Sequence, residues 1–199
     1  MPHVEYMYDE QVALCPIEDG DVPRMQRWVN DMGVLHYLGF YNGMSEAQET
    51  QWLERMRQSH TDCAFAMCLR KDGRHIGSTG LHGINARERH AEFGILIGER
   101  EFWSKGYGTA AARMILNHGF NQLNLHRIFL RVFDHNLRGQ ASYRKLGFVE
   151  EGRLRQHQWR EDGWHDMVYM GLLRDEFNAQ WADWRQQQLE RYLITPAAK

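Results

Sequence analysis

Residues 91–112 have the sequence A-E-F-G-I-L-I-G-E-R-E-F-W-S-K-G-Y-G-T-A-A-A, and this stretch decides the fold. Its first part, Glu92 to Ile97, has the apolar composition of a strand, and its last part is an alanine-rich helix opened by Gly106 and Gly108. Two glycines at a helix start let backbone N–H groups approach an anion closely. The stretch therefore predicts a strand, a loop and a helix that together bind a phosphate-bearing ligand.

The composition is typical of an ordinary globular protein. The chain has 199 residues, 43% hydrophobic and 25% charged, which fits a single domain, 1–199, with a C-terminal helix and tail at 175–199. A net charge of −2, with both signs interspersed, argues against nucleic acid or an anionic membrane as partner. Three cysteines without a C-x-x-C pair, no signal peptide and no run of about 18 apolar residues lead us to expect a cytoplasmic protein.

The order of predicted elements is β-α-α-β-β-β-loop-α-β-α-β-β-α. Strands are expected at 11–14, 64–69, 76–84, 92–97, 126–133, 148–149, 154–160 and 164–173. A helix capped by Asp21 is expected to end at Met32–Gly33, and 35–43 is expected to be a loop. Further helices are expected after Ser45, at 109–120, at 136–146 and at 175–192. A central antiparallel meander followed by crossover helices predicts an α+β sandwich and excludes a repeating βα barrel.

Residues 103–109 could form one of three kinds of phosphate-binding loop. A nucleoside-triphosphate loop needs its lysine and hydroxyl after the last glycine, whereas Lys105 precedes Gly106. A dinucleotide loop needs its strand to run almost directly into the first glycine, but residues 98–105 intervene. An acyl-coenzyme A site fits better, because the longer loop can hold a pyrophosphate while the strand offers backbone groups to the amide-bearing pantetheine arm.

The motifs along the chain resemble those of the GNAT superfamily of N-acetyltransferases. The resemblance is greatest to the branch of ribosomal-protein N-terminal and spermidine-type diamine acetyltransferases, and it covers nearly the whole chain. It is carried by V-A-L-C-P-I-E-D-G-D-V at 12–22, R-H-I-G-S-T-G-L at 74–81, F-W-S-K-G-Y-G-T-A-A at 102–111, L-N-L-H-R-I-F-L-R-V at 123–132, N-L-R-G-Q-A-S-Y-R-K-L-G-F at 136–148 and E-E-G-R-L-R at 150–155. In the 136–148 motif the family's usual serine is replaced by Gly139, which puts one coenzyme contact in question.

The resemblance implies a three-layer fold with a mixed, mainly antiparallel sheet flanked by helices, and acetyl-CoA as co-substrate. The expected coenzyme-binding residues come from the strand, the phosphate loop and the second motif: Ile95, Leu96, Ile97, Trp103, Ser104, Lys105, Gly106, Tyr107, Gly108, Thr109, Ala110, Asn136 and Lys145. For Asn136, a role as a plain helix cap is an equal alternative.

Direct attack of an amine on a thioester requires a base, an oxyanion donor and an acid for the departing thiolate. The resemblance assigns the acid to Tyr143, whose alternative is a packing role. Glu92 is the candidate base because it lies on the strand that leads into the coenzyme site; its alternative is an ion pair with Arg87 or Arg89. Further candidates on the substrate side are three scattered residues: Tyr41, His82 and Asp166.

The expected activity is transfer of an acetyl group to a primary amine, either of a small molecule such as a polyamine or of a protein N-terminus. The alternatives are a non-catalytic acyl-CoA-binding module and a nicotinamide-dependent reductase. The eleven histidines show no metal-ligand spacing, so no metal is expected. The resemblance also allows a homodimer.

Overall fold

The computed structural model describes residues 3–39, 42–160 and 162–194. The strands are β1 (Met7–Tyr8), β2 (Val12–Cys15), β3 (Cys63–Leu69), β4 (His75–Asn85), β5 (His90–Ile97), β6 (Arg127–Phe133), β7 (Val149–Arg160) and β8 (Gly163–Leu173). The helices are α1 (Val22–Trp28), α2 (Met32–Leu35), α3 (Glu46–Gln58), α4 (Tyr107–Asn117), α5 (Leu137–Leu146), α6 (Arg174–Gln180) and α7 (Ala182–Ile194). Among the described residues, no helix is both long and apolar enough to cross a membrane.

The eight strands form one sheet in the order β1-β2-β3-β4-β5-β6-β8-β7. Every neighbouring pair is antiparallel except β5 and β6, which are parallel and pair only from His90 to Glu92 and from Arg127 to Phe129. Beyond those residues the two strands are no longer paired, so their carboxyl-terminal halves border an opening in the sheet. The cleft described below lies at this opening.

Helices cover both faces of the sheet and make three layers. On one face, α4, α5 and α6 pack against the large apolar side chains of the central strands, with Ile115, Leu146 and Phe177 fully buried. On the other face, α1 and α3 cover the small residues of β2 and β3, and Trp28 and Leu53 are the buried anchors. Both cores follow from strand alternation, which sends successive side chains to opposite faces.

Local sequence signals explain where several helices begin and end. Ser45 and Gln48 form the predicted capping box at the start of α3. Gly147 ends α5 with φ of +102°, the left-handed conformation that glycine adopts at little cost. These ends fix the directions in which α3 and α5 leave the sheet.

Several boundaries differ from the prediction. A short first strand, β1, pairs with β2. The first predicted helix is divided, because α1 ends at Trp28 and a separate helix, α2, begins at Met32, where Asp31 caps it by accepting from the N–H of Gly33 (2.8 Å). Strand β7 is continuous from Val149, although its register shifts twice against β8. The terminal helix is two helices that break at Trp181, and α4 passes into a single π-helical turn, His118–Gln122. Short elements of this kind depend on tertiary contacts more than on local propensity.

Candidate active site

A cleft of about 650 Å³ occupies the opening between β5 and β6. Its floor is the exposed half of β5, and its sides are the loop before α4, the first turns of α4 and α5, and the segment after α2. This volume lies within the range of about 300–1,000 Å³ that is typical of small-molecule binding sites. The cleft is therefore the candidate active site.

The backbone of β5 presents unpaired polar groups to the cleft. The N–H of Gly98 donates to the carbonyl of Ile76 on β4 (3.0 Å), and alternation then turns the N–H and C=O of Ile95 and Ile97 toward the β6 side. The carbonyl of Ile97 is already used, because it accepts from the indole N–H of Trp103 (2.7 Å). The backbone of Ile95 is left to hydrogen-bond an amide-bearing ligand laid along the strand.

The loop before α4 is shaped to receive an anion. Gly106 caps the helix with φ of +88°, and Ser104 also has a positive φ, +59°. The first intrahelical bond runs from the N–H of Ala110 to the carbonyl of Gly106 (3.0 Å). The N–H groups of residues 107–109 precede that bond, so they have no acceptor within the helix and point along its positive end. A pyrophosphate fits this arrangement.

An aromatic and cationic wall closes one side of the cleft. The guanidinium of Arg138 lies 3.9 Å from the centre of the Trp103 ring, and the ring of Tyr37 packs edge-on against the same indole. This cation–π contact brings the start of α5 and the segment after α2 to the phosphate loop. Sequence motifs identified Trp103 but did not indicate that Arg138 stacks on it.

Tyr143 lies on α5 and lines the cleft beside Phe93. Its ring also packs edge-on against Phe148, and none of the described residues hydrogen-bonds its hydroxyl group. Burial raises the pKa of Tyr143 to about 12, with a smaller opposing effect from Arg138. The phenol is thus neutral near pH 7 and able to donate a proton.

Glu92 lines the cleft near the point where β5 and β6 separate, and its partner is Arg131 on β6. The guanidinium donates to both carboxylate oxygens, at 2.7 and 3.1 Å. The expected alternative partners were wrong: Arg87 contacts Glu88, and Arg89 bonds Asn124. The hydrogen bond that Arg131 donates to Glu92 raises the pKa of Arg131, so that side chain stays positively charged.

The second motif holds α5 against the cleft. Asn136 is the helix cap, because its side-chain oxygen accepts from the N–H of Gly139 (2.9 Å). A Cβ at Gly139 would lie 2.8 Å from that amide, so glycine in place of the motif serine makes room for this tight cap. Farther along α5, the hydroxyl of Ser142 lies 2.9 Å from that of Thr109 and joins the two helices.

Most of the predicted coenzyme residues line the cleft, but Lys105, Tyr107 and Ala110 do not. The ammonium group of Lys105 instead lies 5.5 Å from the centre of the Phe102 ring. Tyr41 lies outside the described residues.

Two of the predicted substrate-side residues also lie outside the lining of the cleft. His82 is on β4, where it contacts Asp62 (3.3 Å). Asp166 binds Arg153 and the N–H of Gln156 in a separate shallow pocket.

Several lining residues came from no sequence signal. They lie at the end of the cleft away from the phosphate loop or on its walls: Val34, Leu38, Gly39, Arg131, Phe133, Gln158 and Met167. They belong to elements far apart in sequence, and only the pairing of β6 with β8 and the folding of the α2 segment bring them together. Alternation along β6 was the one available hint, because it separates Arg131 from the buried Leu130 and Val132.

Two parallel strands that separate beside a phosphate-binding loop at a helix N-terminus are typical of a coenzyme A-dependent acyltransferase. The chain belongs to the GNAT acetyltransferase family, since residues 11–149 match the acetyltransferase (GNAT) domain. It is an acetyl-CoA-dependent N-acetyltransferase.

Individual relatives agree with this assignment. YdaF of Bacillus subtilis, whose name marks it provisionally as a ribosomal N-acetyltransferase, is 34% identical over 86% of this chain and 96% of its own. The spermidine N(1)-acetyltransferase of Escherichia coli is 29% identical over 85% of this chain and 89% of its own. The crystal structure of Vibrio cholerae spermidine N-acetyltransferase with CoA and spermine has a TM-score of 0.79 and 26% identity, over 85% of this chain and 99% of the other.

Proposed function

We propose that this N-acetyltransferase acts by direct attack of an uncharged primary amine on acetyl-CoA in the cleft between β5 and β6. The pantetheine arm pairs with the backbone of Ile95, and the pyrophosphate binds at the start of α4. Tyr143 protonates the departing thiolate, and Glu92 receives the amine proton through water. The observation that carries this proposal is that Tyr143, Glu92 and the capped loop line one cleft.

The lining of the acceptor end favours the α-amine of a peptide over a polyamine. Among the cleft-lining residues that the structure describes, Glu92 is the one acid, and Arg131 already neutralises it. A polyamine carries several positive charges, and each would need an acidic partner on entering this space. An α-amine has a pKa of about 8, so it loses its proton near neutral pH more easily than a side-chain amine does.

A panel of acceptors tests this choice. Thiol release from acetyl-CoA should be faster with short peptides bearing free N-termini than with spermidine or spermine, compared by kcat/KM. A preference for the polyamines would overturn the choice of acceptor but leave the acetyl transfer intact. The absence of turnover with every amine, despite acetyl-CoA binding, would favour a non-catalytic acyl-CoA module.

Gly106→Ala tests the phosphate loop. A side chain at φ of +88° is strained by about 1–2 kcal/mol, so either the helix start shifts or the backbone donors turn away. Isothermal titration should show acetyl-CoA binding about tenfold or more weaker in the variant, and NADH should bind neither protein. Gly73→Ala is the matched control, because Gly73 also has a positive φ (+71°) but lies in the β3–β4 turn. Equal affinities for Gly106→Ala and wild type would contradict the assigned loop.

Glu92→Gln tests the base, with Arg131→Gln as its companion. Removal of a positioned base lowers kcat by about 10²–10⁴-fold, so we expect at least a hundredfold loss in Glu92→Gln. The double variant Glu92→Gln/Arg131→Gln removes both charges and should stay inactive. Recovery of activity in the double variant would mean that Glu92 acts only by neutralising Arg131.

A further inference from the structure

A cluster of polar side chains just beyond the acceptor end of the cleft is not used by the proposed reaction. It consists of Asp134 and His135, which follow β6, and His165 near the start of β8. Directly after the last pair of the β6–β8 register, Phe133 with Met167, the N–H of Asp134 donates to the carbonyl of Asp166 (3.1 Å). The three side chains are mostly shielded from solvent, with exposed fractions of 31%, 17% and 14% in the order named.

The three donor atoms form a nearly equilateral triangle. Nδ1 of His135 lies 3.2 Å from Nδ1 of His165, and Oδ1 of Asp134 lies 3.1 Å from the latter and 3.5 Å from the former. In a tetrahedral zinc site with bonds of about 2.0–2.1 Å, neighbouring donor atoms are about 3.3 Å apart. The triangle thus has the dimensions of one face of such a site.

In all three side chains, the nitrogen or oxygen atom that points away from the cluster makes a hydrogen bond, as in the usual surroundings of metal ligands. Nε2 of His135 bonds the carbonyl of His36 (3.2 Å), and Nε2 of His165 bonds the carboxylate of Asp162 (2.9 Å). Since both partners accept, each Nε2 donates its proton outward, and each Nδ1 is the nitrogen that faces the other two side chains of the cluster. The second oxygen of Asp134 accepts from the N–H of Asp166 (3.2 Å). Ligating histidines and carboxylates are oriented by outer partners of this type.

We propose that Asp134, His135 and His165 bind a divalent transition-metal ion, with Zn²⁺ as the best-matched occupant. Two imidazole nitrogens and one carboxylate oxygen form a common zinc ligand set, and they leave a fourth position for water. The site lies outside the acetyl-transfer machinery. By fixing His135 it would also fix the ring of His36, 4.5 Å away, and so the segment that carries the cleft residue Tyr37.

A second histidine–aspartate group in the chain lacks these features. His75 lies 2.8 Å from Asp21 and 2.8 Å from the carbonyl of Gly77, the distances of direct hydrogen bonds. His3 contacts the other carboxylate oxygen of Asp21, at 2.8 Å, so the two imidazoles of this group do not meet at one oxygen as His135 and His165 do at Oδ1 of Asp134. We expect no zinc at Asp21.

Zinc titration of the chelator-treated, dialysed full-length protein tests the proposal. Wild type should bind one equivalent of Zn²⁺, measured by calorimetry and by competition with a chromogenic chelator, and zinc should raise its Tm. His165→Asn should bind about 100-fold or more weakly and lose the rise in Tm. His157→Asn is the matched control, because His157 is exposed on β7 of the same hairpin, and it should bind like wild type.

Asp162→Ala keeps the test decisive if His165→Asn does not fold. Asp162 is exposed, so its loss should leave the fold intact, and removal of an outer partner should weaken zinc binding by about 10–100-fold. If wild type does not bind one equivalent of Zn²⁺ saturably, the proposal is overturned, and a proton shared by the three side chains takes the place of the metal. Unchanged zinc binding in folded His165→Asn would overturn it as well.

Discussion

Tyr143→Phe should lower kcat by about 10²–10⁴-fold and leave the Kd for acetyl-CoA within about threefold of wild type. The substitution removes one hydroxyl group and keeps the ring that packs on Phe93 and Phe148. Because burial holds the pKa of Tyr143 at about 12, the phenol keeps its proton in the resting site. We therefore expect the hydroxyl group to contribute when the thiolate departs and not when acetyl-CoA binds.

Two assays separate a catalytic role from a packing role. The rate of thiol release at saturating substrate concentrations gives kcat, and calorimetry gives the affinity for acetyl-CoA. Tyr6→Phe is the control, because the exposed Tyr6 ring stacks on Phe65, neither residue lines the cleft, and the substitution should leave both quantities unchanged. Parallel losses of kcat and affinity in Tyr143→Phe would show that the hydroxyl group serves packing.

Asp21→Ala should destabilise the fold by about 3–5 kcal/mol, because it leaves buried donors without their charged acceptor. Asp21 is 4% exposed and accepts from His75, His3 and the N–H of Glu18. His75 is fully buried on β4, so the carboxylate joins the N-terminal segment, the start of α1 and the sheet. Urea denaturation measures the loss.

A neighbouring carboxylate supplies the control for this prediction. Asp19 lies two residues away, and its ion pair with Arg57 is exposed, so Asp19→Ala should change stability by no more than about 0.5 kcal/mol. Similar losses in the two variants would contradict a special role for the buried carboxylate.

The contribution of Asp21 should also depend on pH. Burial alone would raise the pKa of Asp21, but the hydrogen bonds from His75, His3 and Glu18 outweigh it and hold the pKa below the ordinary value of about 4. The unfolded chain then binds the proton more readily than the folded chain does. The contribution is therefore complete above about pH 5 and is lost as the pH falls toward the folded pKa. The stability difference between wild type and Asp21→Asn should narrow over that acid range.

The sequence predicted the elements whose signals are local. Alternating apolar residues identified the central strands, and the capping residues at Ser45 and Gly147 marked helix ends correctly. The phosphate loop could be recognised because only a glycine pair at a helix start brings backbone donors to an anion. Spacing then distinguished acetyl-CoA from other phosphate ligands, and the family match confirmed it.

The acceptor side of the site could not be predicted in this way. The partner of Glu92 is Arg131, 39 residues away, and it meets the carboxylate because β6 inserts beside β5 in parallel. The histidine cluster has the same origin, since Asp134 and His165 are 31 residues apart and meet through the pairing of β6 with β8. The spacing of residues along the chain does not indicate contacts of this kind.

The α+β fold class and the use of acetyl-CoA could be read from the sequence alone, because the motifs that indicate them consist of neighbouring residues. Only the tertiary structure decided where β5 and β6 part, which charges meet at the acceptor end and how β6 and β8 bring two histidines and an aspartate together. Those outcomes depend on the order of strands in the sheet, which is fixed by packing over the whole domain.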